Sequence, residues 1–178
     1  MTEGSGGHMA RSGSPRPEVT VRGATLADVD ALVDLLVAVA GEGRWIATEA
    51  PVDTGRRRRR MAEDVEGDDA VVLVAEAGGE PVGQLGLHLA RYGVAELGMV
   101  VAAGWRGRGV GTALLAEAVD RARKAGAHKV ALQVWPHNTA AIALYERFGF
   151  QREGYLHRHY RRRSGELWDA VVMGLRLD

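Results

Sequence analysis

An apolar strand ending near Val101 runs through Ala102-Ala103-Gly104-Trp105-Arg106-Gly107-Arg108-Gly109-Val110-Gly111-Thr112 straight into a long amphipathic helix expected over residues 109–125. Few folds make that passage with a glycine at every second position. Gly107, Gly109 and Gly111 carry no Cβ, so backbone N–H groups can converge on an anion there. The helix N-terminus adds unpaired donors and a partial positive charge, and Arg106 and Arg108 add side-chain charge. The stretch suits a pyrophosphate.

Spacing narrows the ligand. A nucleotide P-loop has Gly-Lys followed by Ser or Thr, whereas Gly111 meets Thr112 with no lysine between them. A dinucleotide fingerprint needs a third glycine where Thr112 stands and an acidic residue ending the next strand, which here ends in Val134-Trp135-Pro136. Both readings fail. What remains is Arg106-x-x-Gly109-x-Gly111, and a second segment follows it: Asn138, a short helical run to Leu144-Tyr145, then Phe148-Gly149-Phe150. In this order the two segments resemble the hallmarks of the GNAT superfamily of N-acetyltransferases. The resemblance covers residues 19 to 177.

That resemblance implies an α/β fold, a mixed central sheet of about six or seven strands with a splayed parallel pair, flanked by about four helices. It implies acetyl-CoA as co-substrate, its pyrophosphate on Arg106, Gly107, Arg108, Gly109, Val110, Gly111 and Thr112. Its pantetheine arm would lie along Met99, Val100 and Val101, with Asn138 holding the arm or capping the helix that follows. Tyr145 would protonate the departing thiolate, and Glu96, on the strand before the loop, would be the general base. Glu96 also reads as an ordinary strand carboxylate, and Tyr145 as a core aromatic beside Ala141, Leu144 and Phe148. Alternation puts Glu96 on one face with Gly98 and Val100.

The rest of the chain fits one domain over residues 18–178. Residues 1–17, rich in Gly, Ser, Arg and Pro with an internal Gly-Gly-His-Met, read as an added leader and an unstructured start without a signal-peptide core. A strand is expected over 19–22. Thr25 with Asp28 heads a helix carrying Leu26, Val29, Leu32, Val33, Leu36 and Val37, and a very polar helix follows over 53–66. Strands over 70–76, 82–90 and 94–101 are joined by hairpin-length turns, so they should be antiparallel. The strand–helix–strand unit from Val94 to Val134 should instead be a right-handed parallel crossover. The pair 151–160 and 166–177 closes the sheet. In the long helix Val110, Leu114, Leu115, Ala118, Val119 and Ala122 form the apolar face.

Composition excludes several functions. Lys plus Arg and Asp plus Glu both number 23, so no net charge draws the chain to nucleic acid or membrane. The arginine run Arg56–Arg60 is followed by Glu63, Asp64, Glu66, Asp68 and Asp69, the pattern of a solvated helix with local ion pairs rather than a nucleic-acid surface. There is no cysteine, hence no disulfide, thiolate metal site or cysteine nucleophile, and a cytoplasmic setting suits such a chain. No metal is expected, because His157 and His159 lack a third ligand at suitable spacing. The acceptor should be a primary amine on a small molecule such as an amino acid, with Trp45 and Glu49 in its pocket. A protein N terminus or lysine, or a non-catalytic acyl-CoA sensor, are the alternatives, and a homodimer is compatible with any of them.

Overall fold

The computed structural model describes residues 18–178; the leader expected over 1–17 lies outside them. Seven strands, β1 (Val19–Gly23), β2 (Ala70–Ala77), β3 (Glu80–Leu89), β4 (Val94–Val101), β5 (Lys129–Val134), β6 (Gln151–Arg161) and β7 (Leu167–Arg176), form one sheet. Four α-helices accompany them: α1 (Val29–Gly41), α2 (Thr54–Glu66), α3 (Val110–Lys124) and α4 (Thr139–Arg147). The order across the sheet is β1-β2-β3-β4-β5-β7-β6. Every neighbouring pair is antiparallel except β4–β5, as the short turns and the single crossover require.

The parallel pair is brief. It runs Val94↔Lys129, Ala95↔Val130 and Glu96↔Ala131, and then stops, although β4 continues to Val101 and β5 to Val134. The two strands therefore diverge beyond Glu96. β5 stays paired with β7 as far as Val134↔Val171, and β4 with β3 as far as Val101↔Gly83, so the sheet opens between its halves.

One face of the sheet is covered by α3 and α4. Leu73, Leu85, Leu87, Ala95, Leu97, Val130, Leu132 and Met173 meet the apolar stripe of α3, which buries the six residues its periodicity predicts. Leu114 and Leu115 are wholly buried, each stabilising the fold by about 1.5–3 kcal/mol. α3 stops where Gly126 takes φ +78 and Ala127 donates back to the Ala122 carbonyl. On its solvent side Glu117 pairs with Arg121 and Asp120 with Lys124, as expected. The other face carries α1 and α2, packed through Leu32, Val33, Met61 and Val74.

Local capping follows the sequence. The Asp28 carboxylate accepts from the Thr25 N–H at 2.7 Å and hydroxyl at 2.9 Å, although it heads one 3-10 turn before α1 proper. Asp53 caps α2 through the Arg56 N–H, 2.9 Å away. No helix among the described residues is long and apolar enough to cross a membrane.

Candidate functional site

A cavity of about 640 Å³ occupies the opening between β4 and β5. It runs from the glycine turn, past Leu97–Val101 of β4, Gln133 and Val134 of β5 and the Trp135 that follows, to α4. At the turn end Gly107 and Gly109 adopt φ +70 and +84, a backbone that residues with a Cβ enter at a cost of about 1–2 kcal/mol. The first backbone bond of α3 is donated by Ala113 to Gly109, so the N–H groups of Val110, Gly111 and Thr112 have no partner within the helix. No acidic residue occupies the first turn of α3 to cancel its positive end.

The strand edge is equally open. Ala102 donates its N–H to Val82 on β3. Because consecutive peptide groups alternate, those of Val101 and Met99 turn the other way, into the gap. The Val101 carbonyl accepts from Arg106 Nε at 3.1 Å, leaving the N–H for a ligand. Asn138 caps α4, its side chain accepting from the Ala141 N–H at 3.3 Å, and also lines the cavity. Cap and lining coexist in one residue.

Tyr145 lies at the cavity wall. Its side chain is buried and tilted against Phe150, and its hydroxyl has no hydrogen-bond partner among the described residues. Burial pushes its phenol up to about 12, so it stays protonated at any working pH.

Other expected residues sit differently. Arg106 lines the cavity, but its guanidinium is held bidentately by Glu42 at 2.7 Å, which keeps the Glu42 carboxyl below its ordinary range. Arg108 stacks over Trp105, and Val110 is buried in the core against α3's neighbours rather than lining the cavity. Trp45 does line it, its Nε1 donating to Glu42 at 2.6 Å. Glu49 does not line this cavity; it accepts from the Arg163 N–H at 3.0 Å and pairs with Arg162 at 3.2 Å. Glu96 is exposed on the α1/α2 face, opposite His88 and on the same face as Gly98 and Val100.

Sequence reasoning passed over Glu42 and Arg162. Arg162 is buried, lies 4.3 Å from the Trp168 ring centroid and 5.6 Å from that of Trp135, and donates to the Ala47 carbonyl at 3.2 Å. It fastens residues 46–49 to the β6–β7 turn. The run Arg161-Arg162-Arg163 offered no local sign of which arginine turns inward.

Residues 38–150 match the acetyltransferase (GNAT) family. Over 164 residues the chain is 27% identical to the L-methionine sulfoximine/L-methionine sulfone acetyltransferase of Pseudomonas aeruginosa, covering 89% of this chain and 95% of that protein. The crystal structure of the ribosomal-protein-alanine N-acetyltransferase of Brucella melitensis matches at TM-score 0.81 and 31% identity, over 89% of this chain and 99% of that one. A Salmonella typhimurium protein solved with its cofactor acetyl-CoA matches at TM-score 0.78 and 26% identity, over 90% of this chain and 94% of the other.

Proposed function

Since the chain belongs to the GNAT acetyltransferase family, we propose that it moves an acetyl group from acetyl-CoA to the amine of a free amino acid or a similarly small molecule. It is an acetyl-CoA-dependent N-acetyltransferase. The residues present suit that co-substrate: two left-handed glycines, unpaired N–H groups at the start of α3 and an unpaired strand edge line one continuous cavity.

Acetyl-CoA, when bound, supplies an acetyl group activated as a thioester. The N–H groups of Val110, Gly111 and Thr112 would hold the pyrophosphate, with Gly107 and Gly109 letting the backbone come close, and Met99 and Val101 would pair with the pantetheine arm. In this reading the Val101 N–H, at the end of that pairing, would donate to the acetyl oxygen as negative charge builds on it. Tyr145 carries a proton to the leaving sulfur. Arg106 acts indirectly, binding the Val101 carbonyl to Glu42 and so setting the strand end.

The base is Glu96, acting through water. An ammonium cannot attack a thioester until it loses a proton. Two residues at about 3.4 Å each put Gly98 roughly 7 Å from Glu96 on the same face, Cα to Cα, a span that the Glu96 side chain and one water can cover together. Direct attack needs no covalent enzyme intermediate, in keeping with a chain that has no cysteine. That composition also supports a cytoplasmic setting.

One observation carries the small-acceptor reading. Arg162 and Arg163 strap residues 46–49 to the β6–β7 turn through Ala47 and Glu49, and a loop fixed in this way favours a compact acceptor over a polypeptide. Glu49 would thus hold the loop, and Trp45 the pocket wall. The test is CoA release on mixing the protein with acetyl-CoA and a panel of free amino acids, polyamines and N-terminal peptides. Turnover with amino acids alone is expected. Preference for peptides would overturn the acceptor class, and tight acetyl-CoA binding without turnover on any amine would make the protein a sensor.

A further inference from the structure

Five consecutive arginines open α2, and four of them behave as surface residues: Arg56 and Arg59 are exposed, Arg58 reaches Asp30 and Asp34 on α1, and Arg60 pairs with Asp64. Arg57 does not. It stands one helical turn before Met61, which is buried, so it shares the inward face. Its Nε is wholly buried and has no hydrogen-bond partner among the described residues.

Arg57 forms part of the wall of a second cavity of about 210 Å³, between α1, α2 and the sheet. The cavity's polar lining also includes Thr48, Asp64, Gln84 and His88, and Ile46, Gly98, Met99 and Val100 belong to both cavities. Gly86 and Gly98 face each other across β3 and β4 and leave bare backbone beneath it. A Cβ on Gly98 would meet nothing within 4 Å. A molecule lying there therefore reaches the splayed part of β4 from the side opposite α3.

The charges in this cavity are unbalanced in one respect. Asp64 is 3.3 Å from Arg60 and 4.0 Å from His88, whereas Arg57 has no ion pair among the described residues. The Arg57 side chain is only partly buried, but an Nε–H taken from water without an acceptor is costly, and a carboxylate can satisfy it together with a neighbouring guanidinium N–H. We propose that this second cavity is the acceptor subsite and that Arg57 binds the α-carboxylate of a free amino acid, presenting its amine toward Gly98 and Val100. A singly charged carboxylate suits the place better than a phosphate dianion, because Asp64 shares the wall. The inference rests on the amino-acid reading above and sharpens it: the substrate must carry a free carboxylate.

The experiment compares steady-state kinetics for an amino acid and its carboxamide, in the wild type, Arg57→Gln, Arg57→Lys and, as a neighbouring charge control, Arg58→Gln. Wild type should favour the acid, and Arg57→Gln should raise its KM about 10- to 100-fold while scarcely changing the KM for the carboxamide or for acetyl-CoA. Arg57→Lys should recover part of the loss, and Arg58→Gln should match wild type. An acid-to-amide ratio unchanged in both Arg57 variants overturns the assignment while leaving amino-acid acetylation standing. Wild type that uses acid and amide equally overturns it as well, and wild type that acts only on peptides sinks the amino-acid reading itself. Should Arg57→Gln fail to bind acetyl-CoA, Arg57→Lys decides by the same ratio.

Discussion

Replacing Tyr145 by phenylalanine removes one oxygen and leaves the ring packed 5.5 Å from Phe150. Three consequences separate a proton donor from a core aromatic. At neutral pH the hydroxyl has no partner to strand, so stability should move by less than about 1 kcal/mol, and the melting point by under about 4 °C. At alkaline pH the sign is set by the phenol, whose pKa burial raises to about 12 from 10.0. A raised value favours the neutral form in the folded chain. Its contribution is complete below pH 10 and is lost as the pH rises through 12, about 3 kcal/mol at 1.36 kcal/mol per pKa unit. The phenylalanine variant lacks that loss and should outlast wild type at pH 11.

Catalysis should respond in the opposite sense. General acids contribute about 10²- to 10⁴-fold, so kcat should fall at least about 10²-fold, close to 2.7 kcal/mol of barrier, with acetyl-CoA affinity unchanged. The assay is thiol release at saturating acetyl-CoA and acceptor at pH 7 and 9, beside thermal melts at pH 7 and 11. A kcat within about threefold of wild type at both pH values, with every acceptor, would refute the assignment and leave Tyr145 a packing residue.

Gly111→Val should weaken acetyl-CoA binding by more than about tenfold, or 1.4 kcal/mol, measured by calorimetry on folded protein. A Cβ there would sit 3.0 Å from Leu144 Cδ2 and 3.4 Å from Met99 Cε, forcing both into the cavity they line. Glu96→Gln should depress the rate most at low pH, where few amines are neutral, and the deficit should shrink toward the amine's own pKa; a pH–rate profile overlying wild type would remove Glu96 from the mechanism. Asp28→Asn tests the ion-pair cluster in which Arg22 joins Asp28 to Glu76. Arg22 holds the Asp28 carboxyl well below its ordinary range, so its stabilisation is present above about pH 4 and lost as the pH falls further. The variant should be less stable than wild type in urea at pH 7, with the gap narrowing toward pH 2.

Much of the fold was legible because it depends on local period. The six buried positions of α3, the bounds of β4 and the antiparallel hairpins follow from 3.6- and two-residue repeats and from glycine turns. The left-handed Gly107 and Gly109 were visible as glycines with nothing else to explain them. The polar partners were not. Arg106 is held by Glu42, 64 residues away, and Arg162 by residues 46–49 across more than a hundred, and pairings at such separations leave no periodic trace. Arg57 is an intermediate case. Five arginines in a row offer no apolar contrast, but Met61 marks the inward face of α2, and a residue four earlier must share it.

The division of labour between the two faces follows from the divergence of β4 and β5. α3 begins at the turn after β4, so the positive end of its dipole lies beside the strand's free edge and on the α3/α4 side of the sheet. Any anion held there enters from that side. On the α1/α2 side Gly86 and Gly98 meet as a bare pair, at the level where parallel pairing has just ended at Glu96. A larger residue at 98 would project toward the helices and cover the strand. Gly98→Leu should accordingly affect acetyl-CoA affinity far less than acceptor binding, since its side chain would project away from α3 and the glycine turn, while raising the acceptor KM severalfold or more. Equal damage to both substrates would mean that donor and acceptor share one entrance, and the two-sided arrangement would have to be abandoned.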